Sequence, residues 1–265
     1  MRSALHWMVG AAAVAVIAGT PDSASAVAIL SRDFQSDTVG SNPLPNSGST
    51  LYESSGNNVE VVGPASTPAD PFGGVGNQSL LITAAATGNN GEYVMAAPGA
   101  SAGPVGSVSM NYYQRSTGPA GPPVMELKVG AFTGFAGGSQ TGPWMIINGA
   151  TNILVFTPGP TLTLDQTVSL DAAHTFAIHF DANTDTFTAT LDGNPLTDDG
   201  GATTSFPFFS SLAGVHGLDV IAPSSSRTGQ VFLDNVTINI VPEPASMLSL
   251  AGLAGGLTLR RRARV

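Results

Sequence analysis

The chain reads as all-β, a sandwich of two packed antiparallel sheets, and three observations say so. Apolar residues recur at every second position in short runs, the spacing at which a pleated strand turns one face to a core and the other to solvent. Clusters of Gly, Pro, Asn and Ser separate those runs, and 32 glycines with 19 prolines argue against long helices, whose interiors both residues interrupt. After the N-terminal stretch, no segment longer than a turn or two carries a helical period. A dozen or so short strands joined by turns pack as two sheets, and one such sandwich commonly takes roughly 200 to 250 residues.

At the N-terminus, Arg2, the apolar run Val9–Gly19 and the small-x-small triplet Ala24-Ser25-Ala26 follow the three-part pattern of a secretory signal peptide. Residues 1–26 are assigned to that peptide, with the cut after Ala26, and residues 27–240 to a β-sandwich ectodomain. Within it, Ser107–Tyr113 sets Val108, Met110 and Tyr112 on one face, and Val124–Ala131 sets Met125, Leu127 and Val129 against Val124, Glu126 and Lys128. Leu80–Thr83, Trp144–Ile147, Ile153–Phe156, Thr161–Leu164, Val215–Ile221 and Val231–Ile240 read as strands likewise. His174, Phe176, Ile178 and Phe180 share a face, the turn Asp181-Ala182-Asn183-Thr184 follows, and Phe187, Ala189 and Leu191 return, so His174–Pro195 is a hairpin ending in an Asp-Gly reversal.

Charge excludes one class of partner. Of the 9 Lys and Arg, only Arg32, Arg115, Lys128 and Arg227 lie in residues 27–240, against 16 of the 18 acids, for a net charge of −12. Such a surface repels nucleic acid, which a basic stripe would bind. There is no cysteine, so neither a disulfide frame nor a thiolate metal site can form, and stability must come from a core.

The C-terminus, residues 241–265, carries Pro242-Glu243-Pro244, an apolar run Met247–Leu259 and then Arg260, Arg261, Arg262 and Arg264. As a short apolar helix the run would reach ~20 Å at about 1.5 Å per residue, less than the roughly 30 Å of a hydrocarbon core. Snorkelling arginines can help it span and hold the terminus on the cytoplasmic side. The two prolines favour extended backbone in front of it, a form that fits a protease cleft. This tail resembles the PEP-CTERM sorting signal of Gram-negative bacteria. The resemblance implies signal peptidase and an exosortase-type enzyme as processing partners, a transient membrane anchor, and delivery to the cell surface or extracellular matrix.

Asp33–Gly40 near the start, the His174–Pro195 hairpin and Phe232-Leu233-Asp234-Asn235-Val236 in the last strand together resemble the concanavalin A-like, laminin-G-like jelly roll; galactose-binding jelly rolls share the Asp-Asn-Val ending. Strand parity puts Asp234 on the face of Val236, Ile238 and Ile240, where a carboxylate needs a partner. A structural Ca²⁺ shared with Asp33 is one; backbone donors, Arg32 or Arg227 are others. No further cofactor is expected. Asp181, Asn183, Asp185 and Asp192 imitate an EF-hand count, but Thr186 stands where that loop needs Gly.

Glycosidases of this fold usually place two acids on one strand, and no Glu-x-Asp-x-Glu occurs; Glu126 stands alone, and Glu53, Glu60 and Glu92 sit in loop-like sequence. No Gly-x-Ser-x-Gly elbow occurs either. The expectation is therefore a non-catalytic surface or matrix protein, glycan-binding or a structural component of exopolysaccharide. The alternative is a polysaccharide-active glycosidase or lyase of the same fold. Tyr113 and Arg115 are the candidate sugar contacts, an aromatic beside a guanidinium. Trp144, on a strand apolar on both faces, is assigned to the core.

Overall fold

A computed structural model describes residues 25–43, 50–53, 59–83, 91–97, 103–116, 124–132, 141–148, 152–222 and 230–241. Ala24, Arg227, Pro242, Glu243, Pro244, the apolar C-terminal run and the terminal arginines lie outside these residues. The described residues belong to one compact unit, Ser25–Glu243.

Sixteen strands and no helix are found among the described residues: β1 Val27–Arg32, β2 Thr50–Glu53, β3 Val59–Val62, β4 Ser79–Thr83, β5 Gly91–Ala96, β6 Val105–Arg115, β7 Val124–Gly130, β8 Thr141–Asn148, β9 Asn152–Val155, β10 Leu162–Thr167, β11 Ala173–Asp181, β12 Thr186–Leu191, β13 Asn194–Pro195, β14 Phe206–Pro207, β15 Gly217–Ala222 and β16 Gln230–Val241. Sheet A runs β13-β12-β11-β6-β16-β4-β3, with β1 also on β16 and β14 on β12. Sheet B runs β10-β9-β8-β7-β15-β5-β2. Every pairing is antiparallel.

Period two decides which side chains meet between the sheets. Val108, Met110 and Tyr112 of β6 join Phe176, Ile178 and Phe180 of β11 and Phe187, Ala189 and Leu191 of β12 in one buried cluster. Sheet B answers with Met125, Leu127 and Val129 of β7, Met145 and Ile147 of β8, and Leu218 and Val220 of β15. The hairpin turn falls where the sequence puts it, with Asp181 paired to Thr186 and Asp185 taking φ 52° to reverse the chain. Glu53, Glu60 and Glu92, expected in loops, stand in β2, β3 and β5 instead. Glu92 reads as loop in the sequence because β5 is buried on both faces and shows no alternation.

β16 breaks its own alternation. Its ladder with β6 advances from Asp234↔Asn111 to Thr237↔Ser109, one residue too many on β16, and Asn235 takes φ 51°. This β-bulge inverts the parity of the strand. Val231 and Leu233 face the core before it, and Val236, Ile238 and Ile240 after it. Asp234 therefore sits on the outer face with Phe232, not on the core face with Ile238 as continuous alternation required.

Candidate functional site

The outer face of sheet B, turned away from the core, gathers charge. Asp219 on β15 pairs with Lys128 on β7, which pairs with Trp144 on β8, so the three side chains form one row across three strands. In the next row Ile221 lies between Glu92 of β5 and Glu126 of β7. The parity that sends Leu218, Val220, Leu127 and Met145 inward sends these groups outward.

Lys128 holds the group together. Its Nζ lies 3.1 Å from Glu126 Oε1 and 3.8 Å from Asp219 Oδ2, and 4.8 Å from the centre of the Trp144 ring. Trp144 stacks on Phe156 at 4.8 Å and meets the edge of Phe209 at 4.5 Å. Backbone bonds fix both partners, Phe156 N–H donating to Trp144 O at 2.9 Å and Phe209 N–H to Gly142 O at 2.8 Å. Trp144, assigned to the core from sequence, is thus an outer-face residue whose aromatic cluster walls one side of the charged row.

Asp219 is fully buried, and neither carboxyl oxygen has a hydrogen-bond partner of good geometry. Burial drives its carboxyl up to about 8, the neighbouring Glu92 adds to that, Lys128 opposes it and Glu126 adds again. Glu92 is raised in turn, first by burial, against the pull of Lys128. Burial thus favours the protonated form of Asp219 beside the carboxyl of Glu92, with Lys128 and Glu126 paired next to them. This arrangement can donate a proton and can bind hydroxyl-rich ligands through carboxylate and ammonium.

The sequence candidates lie on the other sheet. Tyr113 packs edge-on over Phe232 at 5.8 Å, and the Arg115 guanidinium lies 5.4 Å from the same ring. Tyr113 Oη donates to Asp171 Oδ1 at 3.3 Å, and Arg115 Nη1 to Gln230 Oε1 at 3.5 Å. The two side chains cover Phe232, which is fully buried on the outer face of sheet A with Val62 and Leu81.

Asp33 acts on Asp234 only through its charge. Asp234 Oδ1 accepts from Asn235 N–H at 2.7 Å, and burial pushes its carboxyl up to about 6, with Asp70 and Asp33 adding to the rise. Asp33 itself accepts from Gln35 N–H at 3.2 Å, and Asn77 Nδ2 donates to Asp70 at 2.9 Å. Arg32 is paired with Asp37 at 2.6 Å. Among the described residues no three His, Asp or Glu converge closely enough to hold a metal ion. The EF-hand-like set is dispersed: Asp181 accepts from Asn183 N–H at 2.8 Å, while Asp192, at the far end of β12, bonds His174.

Sequence reasoning missed Asp219, Glu92 and Lys128. A signal existed for Asp219, the lone carboxylate in Gly217-Leu218-Asp219-Val220-Ile221-Ala222, which is the argument applied above to Asp234. Lys128 is the only lysine of the chain.

No family model and no curated protein sequence matches the chain. Solved structures do. A sialidase aligns with TM-score 0.54 at 8% identity over 82% of this chain and 18% of that one. A carbohydrate esterase from the Shiga toxin-encoding bacteriophage phi24B aligns with TM-score 0.51 at 17% identity, over 82% of this chain and 100% of that one. The binding domain of botulinum neurotoxin DC in complex with SialylT aligns with TM-score 0.50 at 10% identity, over 84% and 50%. The chain thus spans under a fifth of the sialidase and half of the toxin chain. At these identities the likeness shows the fold, which is the concanavalin A-like jelly-roll β-sandwich.

Proposed function

We propose that the protein is an exported glycan-binding sandwich, sorted to the cell surface or exopolysaccharide matrix of a Gram-negative bacterium, with a non-catalytic sugar site on the outer face of sheet B. Sorting rests on the N-terminal and C-terminal sequence patterns. Carbohydrate is the ligand class because the fold is shared with chains named as a sialidase, a carbohydrate esterase and a toxin domain in complex with SialylT. One observation carries the placement: Asp219 and Lys128 are buried beside the Trp144 cluster, with Asp219 held only by the Lys128 ammonium at 3.8 Å and the neighbouring Glu92 carboxyl. A folded chain keeps such a local conflict where a ligand can resolve it.

A glycan array with the purified protein tests this reading. Binding is expected, and Glu126→Gln should weaken it about tenfold or more by removing a charged hydrogen-bond acceptor. Binding that is unchanged in Glu126→Gln and lost in Tyr113→Ala would move the site to sheet A. A second reading, a polysaccharide-active enzyme, is favoured by the protonated Asp219 next to Glu92, an acid beside a base. Release of oligosaccharide products from a bound polymer, abolished by Asp219→Asn, would select it.

A further inference from the structure

A second cluster stands apart from sheet B. The connection from β10 to β11 passes through Ser169, an exposed residue, and an Asp171 at φ 57° turns the chain into β11. His174, the second residue of β11, lies opposite Tyr112 of β6 and stacks on its ring at 5.4 Å with 27° between the planes. Asp192 follows β12 in a left-handed turn, φ 51° with Gly193 at 78°, and so aims its carboxylate back at the start of β11. Three separate segments thereby meet at one imidazole.

The contacts are ordered. Asp192 Oδ2 lies 2.7 Å from His174 Nδ1, and Asp192 Oδ1 accepts from Thr175 N–H at 2.8 Å. Burial works against this carboxylate, yet the bonds from His174 and Thr175 hold its carboxyl below the ordinary range, so it is an acceptor and Nδ1 carries the proton. In the neutral ring Nε2 is then a bare acceptor, and Ser169 Oγ, 3.0 Å away, donates to it. The Ser169 carbonyl oxygen lies 3.1 Å from the same nitrogen, placed to accept the Nε2 proton once the ring has gained one. A hydroxyl donating to an imidazole that a carboxylate holds in one tautomer is the geometry that activates a serine.

We infer that Ser169, His174 and Asp192 form a nucleophile, base and positioning residue for hydrolysis of short-chain carboxylic esters. Ser169 Oγ bonds to the ester carbonyl carbon while its proton passes to His174 Nε2. The carbon–oxygen bond to the alcohol breaks, and the alcohol leaves with that proton. Water, deprotonated by His174, then attacks the acyl-serine, freeing the acid and restoring Ser169. Exposure sets the substrate: Ser169 stands at the surface and the Asp192 side chain is 47% exposed, so the ester must project from its carrier, as an acetyl group on a polyol does. This site shares no residue with the charged face of sheet B, so ester hydrolysis and glycan binding succeed or fail independently.

The purified full-length protein should hydrolyse 4-nitrophenyl acetate and take up diisopropyl fluorophosphate at Ser169, located by peptide mass spectrometry. Ser169→Ala should lower the rate about 100-fold, the lower end of what a positioned base supplies, and abolish labelling. Asp192→Asn, which can still accept from Thr175, should lower kcat with KM unchanged, a split that mere loosening of the turn would not give. Because Ser169 is exposed, its alanine variant should fold, as circular dichroism can verify. Absence of the label at Ser169, or a Ser169→Ala variant as fast as its parent, overturns the inference.

Discussion

The two outer faces of this sandwich are built from the same pleat and could hardly be more different. Sheet B presents Glu92, Asp219, Lys128, Glu126 and Trp144, mostly withdrawn from water. Across the middle of sheet A run rows of side chains that carry neither a carboxylate nor an ammonium: Thr190, Ala177, Ser109 and Thr237 in one, Thr188, His179, Ser107 and Asn239 in the next. These are half-buried or exposed, and their hydroxyls and amides remain open to solvent. A shallow cavity of about 440 Å³ over the second row is bordered by Ser107, His179, Thr188 and Asn239, with Asp181 also in its lining. The lesson is one of cost. A neutral hydroxyl half in water loses little, whereas an ionisable group withdrawn from it must find a partner or change its protonation. Sheet B does both, and its outer face is therefore where stability should respond most to pH and to single charges.

The largest expected effect follows from removing the shared cation. Lys128→Met leaves Glu126, Glu92 and Asp219 without their counter-charge and should cost about 3 kcal/mol at pH 8 by urea unfolding, with a smaller loss at pH 5. Equal losses at both pH values would mean that Lys128 acts by packing alone.

Next in size is the pH profile. The folded value of Asp219, about 8, lies above its unfolded value near 3.9. The folded state therefore holds the proton more tightly, and this contribution is full below about pH 4, declines as pH rises, and is gone above about 8. Asp219→Asn should flatten the profile and exceed the parent at pH 9 by more than about 1 kcal/mol. Asp234, raised to about 6, adds a decline confined to roughly pH 4 to 6, and only that part should vanish in Asp234→Asn. A calcium-dependent rise in Tm seen in the parent and lost in this variant would place a cation with Asp33 and Asp234.

Smaller again is Tyr113→Ala, which uncovers Phe232 and should cost about 1 kcal/mol with glycan binding retained. Smallest is Thr188→Ala on the neutral face, within about 0.5 kcal/mol of the parent. A larger loss there would deny the contrast between the faces.

The sequence carried the fold wherever alternation was unbroken. In the β11–β12 hairpin the inward set Phe176, Ile178, Phe180, Phe187, Ala189 and Leu191 is legible by counting, because one face is buried and the other is not. β5 went unread, since burial on both faces erases the period, and Asp234 was placed on the wrong face because a single αL residue, Asn235, shifts the count. The charged row was hidden for another reason. Glu92, Glu126 and Asp219 are far apart in the chain and become neighbours only because β15 inserts between β7 and β5. Register between distant strands is a property of the whole core, which no local pattern contains. The Ser169–His174–Asp192 contact is local but depends on left-handed turns at Asp171 and Asp192, which an alternation count does not show.

Val27 of β1 lies opposite Ile240 of β16, and β16 is also the partner of β4 and β6. The last strand among the described residues is thus the one around which sheet A is organised, and a nascent chain cannot close that sheet until β16 has been made. The same adjacency makes the protein a natural subject for circular permutation: a short linker from Ile240 to Val27, with new ends opened in the Ala182–Asp185 turn, would preserve every ladder while letting β16 emerge mid-synthesis.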